Sequence, residues 1–149
     1  MSDDGGPVRV AFVCVRNAGR SQMATAFAEV ERERRGLADA VEVLTGGTRP
    51  AERVHEEVVT VMEEAGVDLS GTVPRAITTG ELESCEYVAT MGCSTLELDA
   101  DASGVDVREW ALTDPDGRPL EDVREIREEV RARVGDLFDE IEREATTSV

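Results

Sequence analysis

Apolar and polar positions follow two regimes along this 149-residue chain: short unbroken apolar runs, and longer stretches where apolar residues return every third or fourth place. Val8 to Val13 is the first run, apolar throughout after Arg9, as a strand covered on both faces requires. From Ser21, the residues Met23, Ala24, Phe27, Ala28 and Val30 recur at helical spacing against a polar face of Glu29, Glu31, Arg32, Glu33 and Arg34, and Gly36 marks a stop. Val41 to Leu44 reads as a second strand, with Thr45-Gly46-Gly47-Thr48 turning out of it. Pro50 precedes a second helical pattern, Val54, Val58, Val61, Met62 and Ala65, closed by Gly66. His55 falls in its first turn, where it reads as a solvent-side residue. Thr78 to Glu83 fits one helical turn, Tyr87 to Met91 a third strand ending at Gly92-Cys93, and Val105 to Val107 a fourth. Asp, Pro and Gly make Trp110 to Gly117 a loop. Leu120, Val123, Ile126, Val130, Val134, Leu137, Phe138 and Ile141 then form the stripe of a long final helix. Strands alternating with helices predict an α/β fold with right-handed crossovers and a parallel sheet covered on both faces.

The length fits one domain, residues 1–149, with a fraying polar tail over 1–7. No run of about twenty apolar residues and no charged-then-apolar leader is present, which predicts a cytoplasmic protein that does not enter membranes. Charge changes the picture more. The chain carries 33 acidic and 16 basic residues, a formal net of −17, and every basic residue is Arg. Such a field opposes nucleic acid and anionic membranes, which need basic surface. The acids are spread through periodic apolar segments, so the chain is no disordered acidic tail. A high-salt cytoplasm, where screening cuts repulsion to a reach of ~3 Å at molar ionic strength, accounts for the excess and predicts a halophilic source. Three Cys without CxxC spacing and a single His argue against a zinc site, and no disulfide framework is expected of an intracellular chain this size. The thiols need separate explanations.

Chemistry concentrates where the first strand ends. Cys14 stands there, followed by the loop Val15, Arg16, Asn17, Ala18 and Gly19, then Arg20 and Ser21. A strand, a tight loop and a helix start in succession aim backbone N–H groups at one point, which is how phosphate-like anions are bound. Asn17 and Gly19 suit backbone that must be left-handed or free of side chains, and Ser21 suits an N-cap. Arg20 brings a planar fork matched to two oxygens of a tetrahedral anion. A thiol among such donors ionises more readily than a free one, so the loop both holds an oxyanion and supplies a nucleophile.

On Cys14, Arg20, Asn17, Ser21 and the late Asp114-Pro115, the chain resembles the low-molecular-weight protein tyrosine phosphatases and their relatives, the thiol-dependent arsenate reductases. The resemblance covers nearly the whole chain. It implies a three-layer αβα fold with a four-stranded parallel sheet and the site at the carboxyl ends of the strands. By the same resemblance, Asn17 braces the loop, Ser21 hydrogen-bonds the thiolate, and Asp114 is the general acid, protonated for that step in a place shielded from water. No cofactor or metal is implied.

Two features separate the branches. Phosphotyrosine phosphatases typically place aromatic residues after the Asp-Pro, whereas Asp116-Gly117 follows here, and Asn17-Ala18-Gly19-Arg20-Ser21-Gln22-Met23-Ala24 is similar to the reductase branch. Arg16 departs from that branch's frequent His. Cys93 stands where the family has its resolving thiol, and no further Cys follows it. Cys85 precedes the third strand and belongs on the opposite rim. The expectation is therefore an arsenate reductase released by Cys93, by a small thiol or by a thioredoxin-like protein. A phosphatase acting on phosphotyrosine or small phosphomonoesters is the alternative, and a non-catalytic oxyanion-binding module the third reading.

Overall fold

The computed structural model describes residues 7–91, 105–115 and 117–147. The fraying expected of the N-terminal tail, and everything expected of Cys93, lie outside these apart from Pro7. Four strands, β1 (Val8–Cys14), β2 (Val41–Gly47), β3 (Tyr87–Met91) and β4 (Asp106–Glu109), make one parallel sheet in the order β2-β1-β3-β4. Between and after them run α1 (Arg20–Arg34), α2 (Glu56–Glu64), the short α3 (Thr79–Glu83) and α4 (Leu120–Thr147).

Alternation along β1 divides the core. Val10, Phe12 and Cys14 face one side with Met23, Phe27, Val58, Met62, Val130 and Phe138 from α1, α2 and α4. Ala11 and Val13 face the other with Leu44, Leu82, Cys85 and Val88 under α3. The run has no polar gap because both faces of this central strand are buried. Cys14 thus enters the site from the larger core, its Sγ on the side where α1 begins. Along α1 the buried apolar stripe ends at Ala28, two residues earlier than its spacing predicts, since Val30 is exposed.

Arginines fasten the helices to one another. Arg35 at the end of α1 reaches Glu31, Asp139 and Glu142, and its guanidinium lies over the Phe138 ring. Arg124 and Arg127 of α4 hold Glu64 of α2, and these two cations bring its carboxyl down to about 2. Each exposed pair contributes little alone. Their effect is to place scarce cations where acidic helices meet.

The glycine doublet differs from its predicted role. β2 continues through Gly47 instead of turning out at Thr45, and Gly47 pairs with Cys14. A Cβ on Gly46 would lie 2.4 Å from Ile77 Cβ, and one on Gly47 would lie 2.6 Å from the Val15 carbonyl oxygen. Both residues let other backbone come against the strand. The fourth strand begins one residue later and ends two residues later than expected, and no helix among the described residues is long and apolar enough to cross a membrane.

Gly47→Ala should therefore displace the loop after β1 and lower stability by about 1–3 kcal/mol, the usual cost of overpacking. Gly71→Ala, whose Cβ meets nothing within 4 Å, is the control. Urea denaturation in molar salt compares them, and equal midpoints would show that the loop does not rest on Gly47.

Candidate active site

Between β1 and α1 each carbonyl of the loop is held from outside. Arg49 N–H donates to Val15 O at 2.7 Å, Ala51 N–H to Arg16 O at 2.9 Å, His55 N–H to Ala18 O at 2.9 Å and Met23 N–H to Gly19 O at 3.0 Å. The remaining carbonyl, Asn17 O, accepts from Gln22 Nε2 at 3.0 Å. In a trans peptide the N–H points opposite to the C=O of the same plane. Pulling five successive carbonyls outward therefore turns the N–H groups of residues 16 to 20 inward. Asn17 N–H shows the result, donating to Cys14 Sγ at 3.2 Å. The N–H groups of Arg16, Ala18, Gly19, Arg20 and Ser21 have no protein acceptor among the described residues, so an anion above the sulfur would meet a ring of open donors.

Asn17 fixes this shape. It is fully buried, and it is the described non-glycine residue with positive φ, at 52°, a conformation Asn tolerates better than most residues. Its carboxamide makes every hydrogen bond it can. Nδ2 donates to Ser21 Oγ and Thr45 Oγ1, both at 2.8 Å, while Oδ1 accepts from Arg75 N–H and Gln22 Nε2, both at 2.9 Å. The amide's orientation follows from Arg75, because a backbone N–H can only donate. Ser21 accepts from Asn17, which leaves its own hydrogen for Cys14 Sγ at 2.8 Å. Ser21 accordingly lies inside the helix and touches the sulfur. The N-cap is Gly19, with no side-chain cap, because the expected capping hydroxyl is engaged with the thiol.

Arg20 and Asp114 meet above the loop. Arg20 Nη1 donates to Leu112 O at 2.9 Å, and Nη2 lies 3.8 Å from Asp114 Oδ2. The arginine side chain is 12 % exposed, and Asp114's is 61 % exposed. The acid is thus not withdrawn from water as expected, because its place beside Arg20 sits at the rim. Pro115 explains Gly19: a Cβ there would lie 2.9 Å from Pro115 Cγ, so the bare loop lets the Asp-Pro segment pack onto it.

The resulting hollow of about 240 Å³ is lined by the loop from Cys14 to Arg20 except Asn17, and by His55 and Asp114. Two larger hollows elsewhere, of about 380 and 400 Å³, are lined by no cysteine. His55 is a residue that spacing misread. It precedes α2 instead of lying in its first turn, and its backbone clamps Ala18 while its ring walls the pocket. Thr45 and Arg75 were also missed as supports, since nothing local marks a residue that braces a loop from 28 or 58 positions away, and Gln22, five positions from Asn17, was read only as part of the family likeness.

Of the other two thiols, Cys85 lies among the described residues. Cys85 is buried on the far face, its Sγ donating to Glu81 O, and burial pushes its thiol up. Cys93 follows β3 by two residues. β3 neighbours β1 with Met91 opposite Cys14, which meets the topological condition for a relay, while Cys93 itself is outside the described residues. Among the described residues no cluster of His, Cys, Asp or Glu is placed to hold a metal.

Residues 9–147 match the family model for low molecular weight phosphotyrosine protein phosphatase. The chain belongs to this family. Within it, the chain is 68 % identical over 140 residues to a Halobacterium salinarum protein named "Putative arsenate reductase", covering 94 % of this chain and 96 % of that one. It is 33 % identical to the glutaredoxin arsenate reductase of Synechocystis, covering 89 % of this chain and 98 % of the relative. A solved arsenate reductase in its phosphate-binding state superposes with a TM-score of 0.74 at 30 % identity, covering 90 % of this chain and 98 % of that one. The chain is an enzyme of this family, and its acid-rich composition accords with a halophilic relative.

Asn17→Ala should leave Ser21, Thr45, Gln22 and Arg75 N–H each short of a partner, lowering stability by about 3 kcal/mol or more. It should also weaken inorganic phosphate binding. Unchanged phosphate affinity by calorimetry would show that the loop keeps its shape without this brace.

Proposed function

We propose that this enzyme reduces arsenate through Cys14, with the loop amides and Arg20 holding the oxyanion and a thiol releasing the product. One observation carries the reading: the sulfur, the inward N–H groups and a guanidinium converge on a small hollow whose walls include no Phe, Tyr or Trp among the described residues. Such a hollow suits a bare tetrahedral oxyanion better than a phosphorylated aromatic ring. The named relatives act on arsenate by their names, and the 68 % identity over nearly the full chain supports the same substrate here.

Cys14 attacks arsenic and displaces a hydroxyl, which leaves as water once protonated by Asp114. Asn17 N–H and Ser21 Oγ steady the sulfur, and the amides of residues 16 and 18 to 20, with Arg20, meet the developing charge. A second thiol then forms a disulfide with Cys14, and arsenite leaves with the arsenic–sulfur electron pair. That thiol is Cys93 or an external one. The expected site of action is the cytoplasm, where Cys14 and Cys85 remain free thiols.

The same machinery hydrolyses a phosphomonoester when water takes the place of the second thiol, and Asp114 at the rim beside Arg20 favours this second reading.

Arsenite formation and aryl-phosphate hydrolysis, assayed in parallel in molar salt, should both vanish in Cys14→Ser while inorganic phosphate still binds. Turnover by that variant would remove Cys14 from the mechanism, and absence of arsenite with the native enzyme would leave the phosphatase reading. Asp114→Asn should slow hydrolysis of an ester with a poor leaving group by about 10²-fold and one with a good leaving group far less. Equal losses would show that Asp114 is not the acid.

A further inference from the structure

Beyond β4 the chain leaves the sheet before it reaches the acid. Trp110 N–H still donates to Thr90 O of β3 at 2.8 Å, and α4 begins only at Leu120. Between them Asp114 is carried above Cys14 by a segment that is neither strand nor helix. One side of that segment faces open space, since Thr113 lines the hollow of about 380 Å³ together with Arg118, Asp122, Glu125, Ile126 and Glu129. Packing alone does not fix the acid there.

Two arginine side chains grip the segment by its backbone. Arg20 reaches from the loop, where Nη1 donates to Leu112 O at 2.9 Å. Arg118 reaches from the other end, where Nε donates to Asp114 O at 3.1 Å. Its own N–H donates to Pro115 O at 3.1 Å, closing a turn in which Gly117 has φ 74°, a conformation that glycine adopts without strain. The far side of the Arg118 guanidinium, Nη1, lies 3.8 Å from Asp122 Oδ2 in the first turn of α4. That helix is anchored in the core through Val123, Ile126 and Val130. Arg118 thus joins the peptide of the acid to a fixed support.

The plane of that peptide decides where the acid points. Asp114 Cα, the Asp114 carbonyl and the Pro115 nitrogen share one rigid plane. Pro115 is buried and rests on Gly19, where a Cβ would lie 2.9 Å from Pro115 Cγ. A plate held at one edge can pivot about it, whereas a plate held at two edges keeps one tilt. Pro115 supplies the first hold and Arg118 the second, so both set the direction in which the Asp114 side chain leaves. Arg118 does not line the hollow above Cys14, so it acts through Asp114 and not on the anion.

We propose that Arg118 is a positioning residue for the reaction, holding the Asp114 carbonyl so that the carboxyl faces the departing oxygen. This rests on Asp114 as the acid of the proposed function. As the bond from Cys14 Sγ to arsenic or phosphorus forms, the bond to the leaving oxygen breaks and the Asp114 proton passes to that oxygen. It departs as water from arsenate and as a phenol from an aryl ester. Arg118 exchanges no proton and no electron in this step. Its contribution is geometric, and a misdirected acid costs most where the leaving oxygen most needs a proton.

A double-mutant cycle tests this in molar potassium chloride, with phenyl phosphate as the ester of a poor leaving group and 4-nitrophenyl phosphate as that of a good one. Arg118→Gln should slow hydrolysis of the first about tenfold, inside the ~10²-fold that a 1 Å misplacement can cost, and of the second less than about twofold. In the Asp114→Asn background the same substitution should cost less than about twofold on either ester, because its route to the chemistry is already gone. Arg118→Lys, which keeps a donor for the carbonyl but loses the fork, should recover part of the rate. Inorganic phosphate affinity by calorimetry should match the native enzyme in each Arg118 variant, which also reports that the loop is intact. Arg133→Gln removes the same charge from an ion pair with Glu129 on α4 and should leave every rate within about twofold. The same cycle is read on arsenite formation with dithiothreitol in excess, and it carries the test alone if neither ester turns over.

Full activity in Arg118→Gln, equal losses on the two esters, or losses that multiply with those of Asp114→Asn would each overturn the proposal. Equal losses on the two esters in Asp114→Asn itself would instead mark failure of the acid reading beneath it. Absence of arsenite with the native enzyme would mark failure of the reductase reading, and the ester cycle would still decide the role of Arg118.

Discussion

Five consecutive peptide planes are held by their carbonyls, and the rest of the site depends on that restraint. A short loop left to itself would leave its amides to water in varied orientations. Here Arg49, Ala51, His55, Gln22 and Met23 each take one carbonyl, and the amides have one direction left. The donors come from the segment after β2 and from the first turn of α1, so the cradle forms only when sheet and helices are assembled. Asn17 joins these supports to the chemistry, because the carboxamide that locks the loop also orients the Ser21 hydroxyl toward the sulfur. Structure and reactivity share one buried side chain.

Much of the fold was legible because the two periodicities are clean. β1 is unbroken by polar residues since both its faces are covered, and α4 keeps its stripe from Val123 to Ile141. The convergence of Cys14, Arg20 and Asp114 on one hollow was also legible, two by their spacing around a strand end and one through the family likeness. What escaped was set by contacts distant in sequence. His55 looked like a helix surface residue because nothing local shows that Ala18 and Gly19 lie beside it. Gly46 and Gly47 looked like a turn because close approach of foreign backbone leaves the same mark as a bend. Ser21 looked like a cap because a hydroxyl at a helix start has two possible partners, and only the three-dimensional site shows that sulfur takes it.

The acidic excess and the anion site coexist through the distribution of arginine. Across the helices, Arg35, Arg108, Arg124 and Arg127 are spent on carboxylates that would otherwise repel one another. At the loop the arrangement is looser, with Arg20 donating to the Leu112 carbonyl and lying 3.8 Å from the rim acid Asp114. In concentrated salt, interactions at a distance fade while contacts within a few ångströms persist. A cradle made of direct amide donors and one forked cation is therefore suited to a medium that erases longer-range steering.

The glycine doublet at the end of β2 has a consequence for how such a chain can vary. Because Gly47 meets Val15 and Asn17 backbone, and Gly46 meets Ile77, the loop is cast largely against main chain. A mould of backbone does not register which side chains cover the outside of the protein. The exterior is then free to drift toward any charge its solvent favours, and the catalytic surface keeps its curvature while it does so.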